Sequence, residues 1–276
     1  TYTADGQLDT VVDGNGTTAY ERDVRGRLKK VTWPTPSGST IAPVVSYQYD
    51  AVGNRTKLVT NNQTIDYTYD VLNRLATVKP LGATNPIAIY AYTPVGSRES
   101  VSYDNGTSTS YTYNRRNRLT GISHKLGATV LLGVAYTLDP SGLRTGIAET
   151  GAINRTVTYD YDAVKRLTKE SVVQAAGDRR TSWTYDKTGN RLTQVKELGP
   201  IGALSGTATT TYDYDANDRL ESEVLAITGS VPGATAGTTT YTYDAAGNTT
   251  KKVSPTETID YVYDDANRMV ELQTLA

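Results

Sequence analysis

One short phrase, Tyr-x-Tyr-Asp with Gly or Asn three residues after the Asp, recurs along almost the whole chain. A tandem repeat constrains the fold more than any single residue does. Each copy is one supersecondary unit, too small to bury its own surface, so neighbouring copies must stack. The clearest copies are Tyr47, Tyr49, Asp50, Gly53 and Tyr67, Tyr69, Asp70, Asn73. Near the other end stand Tyr241, Tyr243, Asp244, Gly247 and Tyr261, Tyr263, Asp264, Asn267.

With the Asp position called i, twelve units align: Thr3, Asp23, Asp50, Asp70, Thr93, Asn114, Asp139, Asp162, Asp186, Asp215, Asp244 and Asp264. At i+3, eleven of the twelve are Gly, Asn or Asp, the residues that tolerate positive φ. Pro94 and Pro140 occupy i+1. This is the pattern of a type I turn followed by a left-handed residue, a common closure for a β-hairpin. Lys165 is the misfit at i+3, and strain or a different turn is expected there.

Position i−3 is aromatic in every unit that has it, and i−1 is Tyr in ten of twelve. These two slots hold 20 of the 21 tyrosines, and the chain has no Phe. Excluding Phe implies that the hydroxyl is used, with a ring packed at one end and a hydrogen bond at the other. Residues two apart on a strand share a face, so each hairpin should display a pair of rings.

The strand leaving the turn carries an arginine in two alternating places. Arg27, Arg74, Arg118, Arg166, Arg219 and Arg268 stand at i+4, whereas Arg55, Arg98, Arg144 and Arg191 stand at i+5. Thr249 breaks the second series. We call the two forms near-arginine and far-arginine turns. Their alternation predicts a structural period of two hairpins, 43–58 residues. A one-residue shift moves a side chain to the other face unless a bulge absorbs it.

Variable returns join the hairpins, the longer ones at Trp33 to Pro43, Glu197 to Gly206 and Ala226 to Gly237. Eight of the ten prolines fall in such returns, where no ladder bond is lost. No segment carries helix caps with a 3.6-residue period. The expected fold is all-β: tandem antiparallel β-hairpins in a curved or spiralling, solenoid- or shell-like sheet. Residues 1–276 read as one array of about twelve hairpins, cut at both ends.

Tyr-x-Tyr-Asp-x-x-Gly-Asn-Arg alternating with Tyr-x-Tyr-Asp-x-x-Asn-Arg-Leu resembles the YD repeats of the Rhs family. The resemblance spans Tyr2 to Met269. In that family, which includes Rhs polymorphic toxins, the B and C components of Tc toxins and teneurins, such repeats form a hollow β-shell. In the toxin members the shell encloses a toxic C-terminal domain. The resemblance therefore implies a non-catalytic shell segment around a polypeptide cargo. It also implies a secreted or cell-surface parent, with that cargo or neighbouring repeats as partners. Asp139-Pro140-Ser141-Gly142 looks like the family's processing motif but occupies an ordinary turn slot.

The remaining features exclude more than they assign. With 28 Lys and Arg against 29 Asp and Glu, no basic surplus points to nucleic acid. No run of 18 apolar residues predicts membrane insertion. No Cys and a single His, His124, give little support for a metal centre or a catalytic triad. We expect no enzyme activity, cofactor or metal. The Asp row reads as turn chemistry rather than cation binding. Trp33, among prolines in a return, is the candidate ligand contact. It leaves a carbohydrate-binding adhesin as the alternative function. Open sheet edges predict edge-to-edge self-association.

Overall fold

The computed structural model describes residues 1–200 and 203–275. Ile201 and Gly202, in the return from Glu197, and the terminal Ala276 lie outside them. Among the described residues there are 23 strands and no helix. Two compact units, Thr1–Leu131 and Leu132–Ala276, divide the chain.

In the first unit each strand pairs antiparallel with the next, from Thr10–Asp13 to Leu119–Leu126. The second unit repeats this scheme from Thr129–Leu138, most of which it contains, to Met269–Leu275. Each unit is thus a meander of hairpins, as the repeat dictates. The return expected from Ala226 begins later, because Ala226 and Ile227 extend a strand against Thr209 and Ala208. Alternation of small and β-branched residues suits the pleat there.

The signature turns close as expected. In all twelve, the i N–H donates to the i+4 carbonyl at 2.8–3.0 Å. Every i+3 residue has positive φ. Lys165 does too, at φ 68°, and its N–H donates to Asp162 O at 2.9 Å. It therefore takes the common turn rather than a different one, in a conformation that a lysine adopts at some cost. The far-arginine glycines sit at φ 91–110°, whereas the near-arginine Asn, Asp and Lys residues sit at 57–68°. Only glycine reaches the first range comfortably, and asparagine tolerates the second. The choice of Gly or Asn thus reflects two backbone variants.

From the second repeat on, the eleven signature hairpins each carry a bulge between i−2 and i−1, as at Gln48/Tyr49 and Thr68/Tyr69. Because near- and far-arginine hairpins share it, the bulge does not explain the arginine shift.

Register places apolar rows beside the tyrosines. In the first unit Val31, Leu58, Val78 and Val101 face Tyr20, Tyr47, Tyr67 and Tyr90. In the second unit the same row holds Ile147, then Glu170, Gln194, Glu223 and Lys252. The opposite face is polar, with cross-strand threonine pairs such as Thr68–Thr77 and Thr184–Thr193. Few residues are fully buried: Val31, Ala88, Val101, Val157, Val172 and Ala208 are the apolar ones. The accessible surface is 17214 Å², against roughly 11,600 Å² for a globular monomer of this mass. Stability must therefore come largely from contacts between adjacent hairpins.

Candidate functional site

The signature residues converge on the row of turns. The Asp at i folds its carboxylate back over the turn. Asp50 Oδ1 accepts the N–H groups of Val52, Gly53 and Asn54 at 2.8–3.1 Å. In near-arginine turns Oδ2 also accepts the arginine Nε, at 2.7 Å for Asp70–Arg74 and 2.6 Å for Asp215–Arg219. The carboxyls of Asp70, Asp215 and Asp264 lie below the usual carboxylate range. The main cause is the backbone N–H of Arg74, Arg219 and Arg268, reinforced by each guanidinium against partial burial.

The arginine then reaches the following turn. Arg27, Arg74, Arg166 and Arg219 donate Nη1 to the carbonyls of Asp50, Thr93, Asp186 and Asp244 at 2.8–3.5 Å. The same guanidinium groups lie 4.5–4.8 Å over the rings of Tyr49, Tyr92, Tyr185 and Tyr243. Such stacking contributes about 0.5–1 kcal/mol each where partly exposed. The far-arginine residues stack on the i−3 rings instead, as Arg55 does on Tyr67 at 4.7 Å and Arg144 on Tyr136 at 4.3 Å. Both arginine positions therefore serve the tyrosine face. Guanidinium groups are interleaved with the expected ring pairs.

A far-arginine turn holds the next turn differently. Its i+4 side chain donates to the i+3 side chain across the junction: Asn54 to Asn73 at 2.9 Å, Ser97 to Asn117 at 2.6 Å, Asn190 to Asp218 at 2.6 Å and Asn248 to Asn267 at 2.9 Å. Two clasps thus alternate, one of arginine and one of a short polar side chain. This is the physical content of the two-hairpin period.

The i−1 tyrosine completes the junction. Tyr49, Tyr69, Tyr92, Tyr113, Tyr161, Tyr185 and Tyr243 donate their hydroxyls to the i+5 carbonyl of the preceding hairpin at 2.7–2.9 Å. The use of the hydroxyl was legible from the absence of Phe. The polar clasp was not, although Asn recurring at i+4 and i+3 in alternate units is its signal. The i−3 hydroxyls are used less regularly. Tyr241 donates to Glu223 at 3.0 Å, and burial, then that carboxylate, push its phenol well up.

The other candidates lie apart from this row. Trp33 is 40% exposed and lines a cleft of about 750 Å³ with Gly14, Asn15, Pro34, Thr35 and Pro36. His124 pairs across strands with Thr109, Nδ1 to Oγ1 at 3.0 Å. Asp139 accepts the Ser141 hydroxyl and the N–H groups of Gly142 and Leu143, the ordinary business of a turn.

Residues 143–274 match the family model described as teneurin YD-shell. No curated protein matches the sequence. Among solved structures the chain is similar to the crystal structure of TcdB2-TccC3-TEV, with a TM-score of 0.57 and 14% identity over 95% of this chain and 17% of that one. It is also similar to the Photorhabdus luminescens Tc holotoxin pore with the TccC3-D651A mutation, with a TM-score of 0.57 and 15% identity over 94% of this chain and 16% of that one. The chain thus spans about one sixth of the chains it matches, and the likeness is one of fold. Residues 143–274 are thus similar to the YD-shell family, and the repeat signature and hairpin register of the rest of the chain follow the same scheme.

Proposed function

We propose that this chain is a non-catalytic wall segment of a secreted or cell-surface shell that encloses a polypeptide cargo. We also propose that its two units belong to one array of hairpins. The observation that carries the reading is where the signature side chains end. The Asp, Arg and Asn side chains and the i−1 Tyr hydroxyls repeatedly end on their own turn or on the adjacent hairpin, as at Asp70, Arg74, Asn54 and Tyr69, so the signature residues are spent on building the array. The large accessible surface adds support, because a sheet whose ring-bearing face carries exposed tyrosine, aliphatic and arginine side chains gains from something lying against it. The Tc toxin structures lend the analogy of a toxin shell, at the level of fold alone.

The test separates a wall from an adhesin. A Trp33→Phe variant leaves Trp183, on the tyrosine face, as the only tryptophan. Its emission is titrated with a permanently unfolded polypeptide, and the folded chain is screened on a glycan array. The wall reading expects a saturable shift in Trp183 emission and a blank array. No shift, together with saccharide binding that Trp33→Ala abolishes, overturns it in favour of the adhesin.

A further inference from the structure

Asparagine stands in two kinds of place in this chain. At the clasps, Asn54, Asn190 and Asn248 donate their side-chain amides to their own turn and to the next one. Each is followed by a residue with a side chain: Arg55, Arg191 or Thr249. Asn15 and Asn105 are instead followed by glycine, the only Asn-Gly pairs in the sequence, and both are exposed in short returns. An asparagine before glycine is the one whose side chain the following backbone nitrogen reaches most easily, because no Cβ shields that nitrogen.

The two pairs are held differently. Gly16 opens the strand Gly16–Arg22 and pairs with Asp13 in the ladder. A Cβ on it would stand 2.9 Å from the Pro34 ring. Gly106 lies between the strands Arg98–Tyr103 and Thr107–Tyr113, at φ 79°. The nearest atom to its Cβ position is Leu126 Cδ1, at 3.7 Å. One turn bond, from Gly106 N–H to Tyr103 O at 3.1 Å, has to open for the nitrogen to turn toward the side chain.

The Asn105 side chain is also prepared for attack. Its Oδ1 accepts the Thr107 N–H at 3.0 Å and the Thr107 hydroxyl at 2.7 Å. A backbone N–H only donates, so the atom facing Thr107 is the oxygen. Two donors there polarise the Cγ carbonyl and would hold the negative charge that builds on Oδ1 as the nitrogen adds, in the manner of an oxyanion hole. Asn15 binds through its own N–H, to Asp13 Oδ1 at 2.8 Å, and among the described residues no donor meets its side-chain oxygen.

We propose that Asn105-Gly106 is a self-modification site, at which the folded chain converts Asn105 to isoaspartate with water as the only co-reactant. The Gly106 nitrogen adds to Asn105 Cγ and gives its proton to solvent. The Cγ–Nδ2 bond breaks, and Nδ2 takes up a proton and leaves as ammonia, which closes a succinimide ring. Water then adds its hydroxyl to one ring carbonyl, and the ring C–N bond at that carbon breaks with the proton passing to nitrogen. Opening at the side-chain carbonyl gives aspartate. Opening at the backbone carbonyl gives isoaspartate, with a methylene added to the main chain. The product sets a second carboxylate beside Asp104. The longer main chain also displaces Gly106, whose carbonyl accepts the Gly127 N–H of the next return at 3.0 Å. The site is thus a slow, irreversible release of one return from its neighbour.

The test incubates the whole folded chain in mildly alkaline buffer made with heavy-oxygen water and follows each asparagine by peptide mapping and mass spectrometry. The expected result is label at Asn105 about ten-fold faster than at Asn15, and none at Asn54, Asn190 or Asn248. In urea, where the turns are gone, the two Asn-Gly pairs should convert at the same rate. Thr107→Val suits the strand, keeps the backbone donor and removes the hydroxyl, and should slow conversion of Asn105 about three-fold. Hydrogen exchange should show the Gly127 amide losing protection in the isoaspartyl chain but not in Asn105→Asp, which carries the charge without the added methylene. No label at Asn105, equal rates at Asn15 and Asn105 in the folded chain, a difference that persists in urea, or indifference to Thr107→Val would each overturn the proposed site. Retained protection of Gly127 in the isoaspartyl chain would overturn the release.

Discussion

Lys165 stands in a left-handed position that Asn or Asp holds in four other near-arginine turns, and it shares a cavity lining with Leu143, its opposite number across the junction, whose side chain has no polar group to offer it. The other far-to-near contacts place a donor at i+4 and an acceptor at i+3. Here both are missing, and Leu143 and Lys165 line a shallow cavity of about 450 Å³ instead. The two irregular residues are one irregularity. The double substitution Leu143→Asn with Lys165→Asn should stabilise the chain by more than the sum of the single changes. The expected coupling is about 0.5–1.5 kcal/mol, the net value of one hydrogen bond. Urea midpoints of the four proteins measure it. Additive effects would mean that the polar clasp does not form there.

The tyrosine hydroxyls should divide by slot. Tyr69 donates to Arg55 O at 2.9 Å, whereas Tyr67 contributes its ring to Arg55. Tyr69→Phe should cost about 1 kcal/mol, with a bulge carbonyl left unpaired, and Tyr67→Phe clearly less. Chemical denaturation of the two variants makes the comparison. Equal costs would show that the hydroxyl-to-carbonyl bond is not what keeps Phe out of i−1.

Hairpins, turn type, left-handed positions and ring pairs were legible in the sequence, because each depends on residues close along the chain. The clasps were not, since Arg74 and Thr93, or Asn54 and Asn73, meet only when hairpins stack. Alternation of Arg27 and Arg55 announced a two-hairpin period without giving its chemistry. Lys165 looked like a turn problem, and it became a junction problem once Leu143 was placed beside it.

Acid should loosen the array. The Asp residues at position i have carboxyls lowered in the folded chain, as at Asp70, where the Arg74 N–H is the largest cause. A lowered folded value means that the contribution is complete above the unfolded carboxyl's pKa of about 4 and is lost as pH falls through the folded value. Stability should therefore be flat near neutrality and fall below about pH 4. Asp70→Asn keeps an Oδ1 acceptor, as Asn114 does, but gives up the Arg74 charge pair. That variant should be weaker at pH 7 and converge on the parent in acid. Parallel curves at both pH values would rule out the turn carboxylate as the cause.

The two backbone variants should differ in tolerance. Gly53 sits at φ 107°, and Asn73 at φ 61°. Gly53→Val should destabilise by about 1–3 kcal/mol, because a β-branched residue is strained there. Asn73→Gly keeps an accessible conformation and loses mainly the bond from Asn54, about 1 kcal/mol. Thermal unfolding separates them, and the reverse order would contradict the assignment of the two turn forms.

The alternation of clasps also governs how such a chain can change its length. Deleting or duplicating one hairpin would bring two turns of the same form together, with either two guanidinium groups or two polar donors facing each other. Removing or adding hairpins in pairs keeps the two clasps in alternation. Lengthening by gene duplication is therefore channelled into even steps, and a loop-swapping or shortening design that respects this parity inherits an intact row of turns.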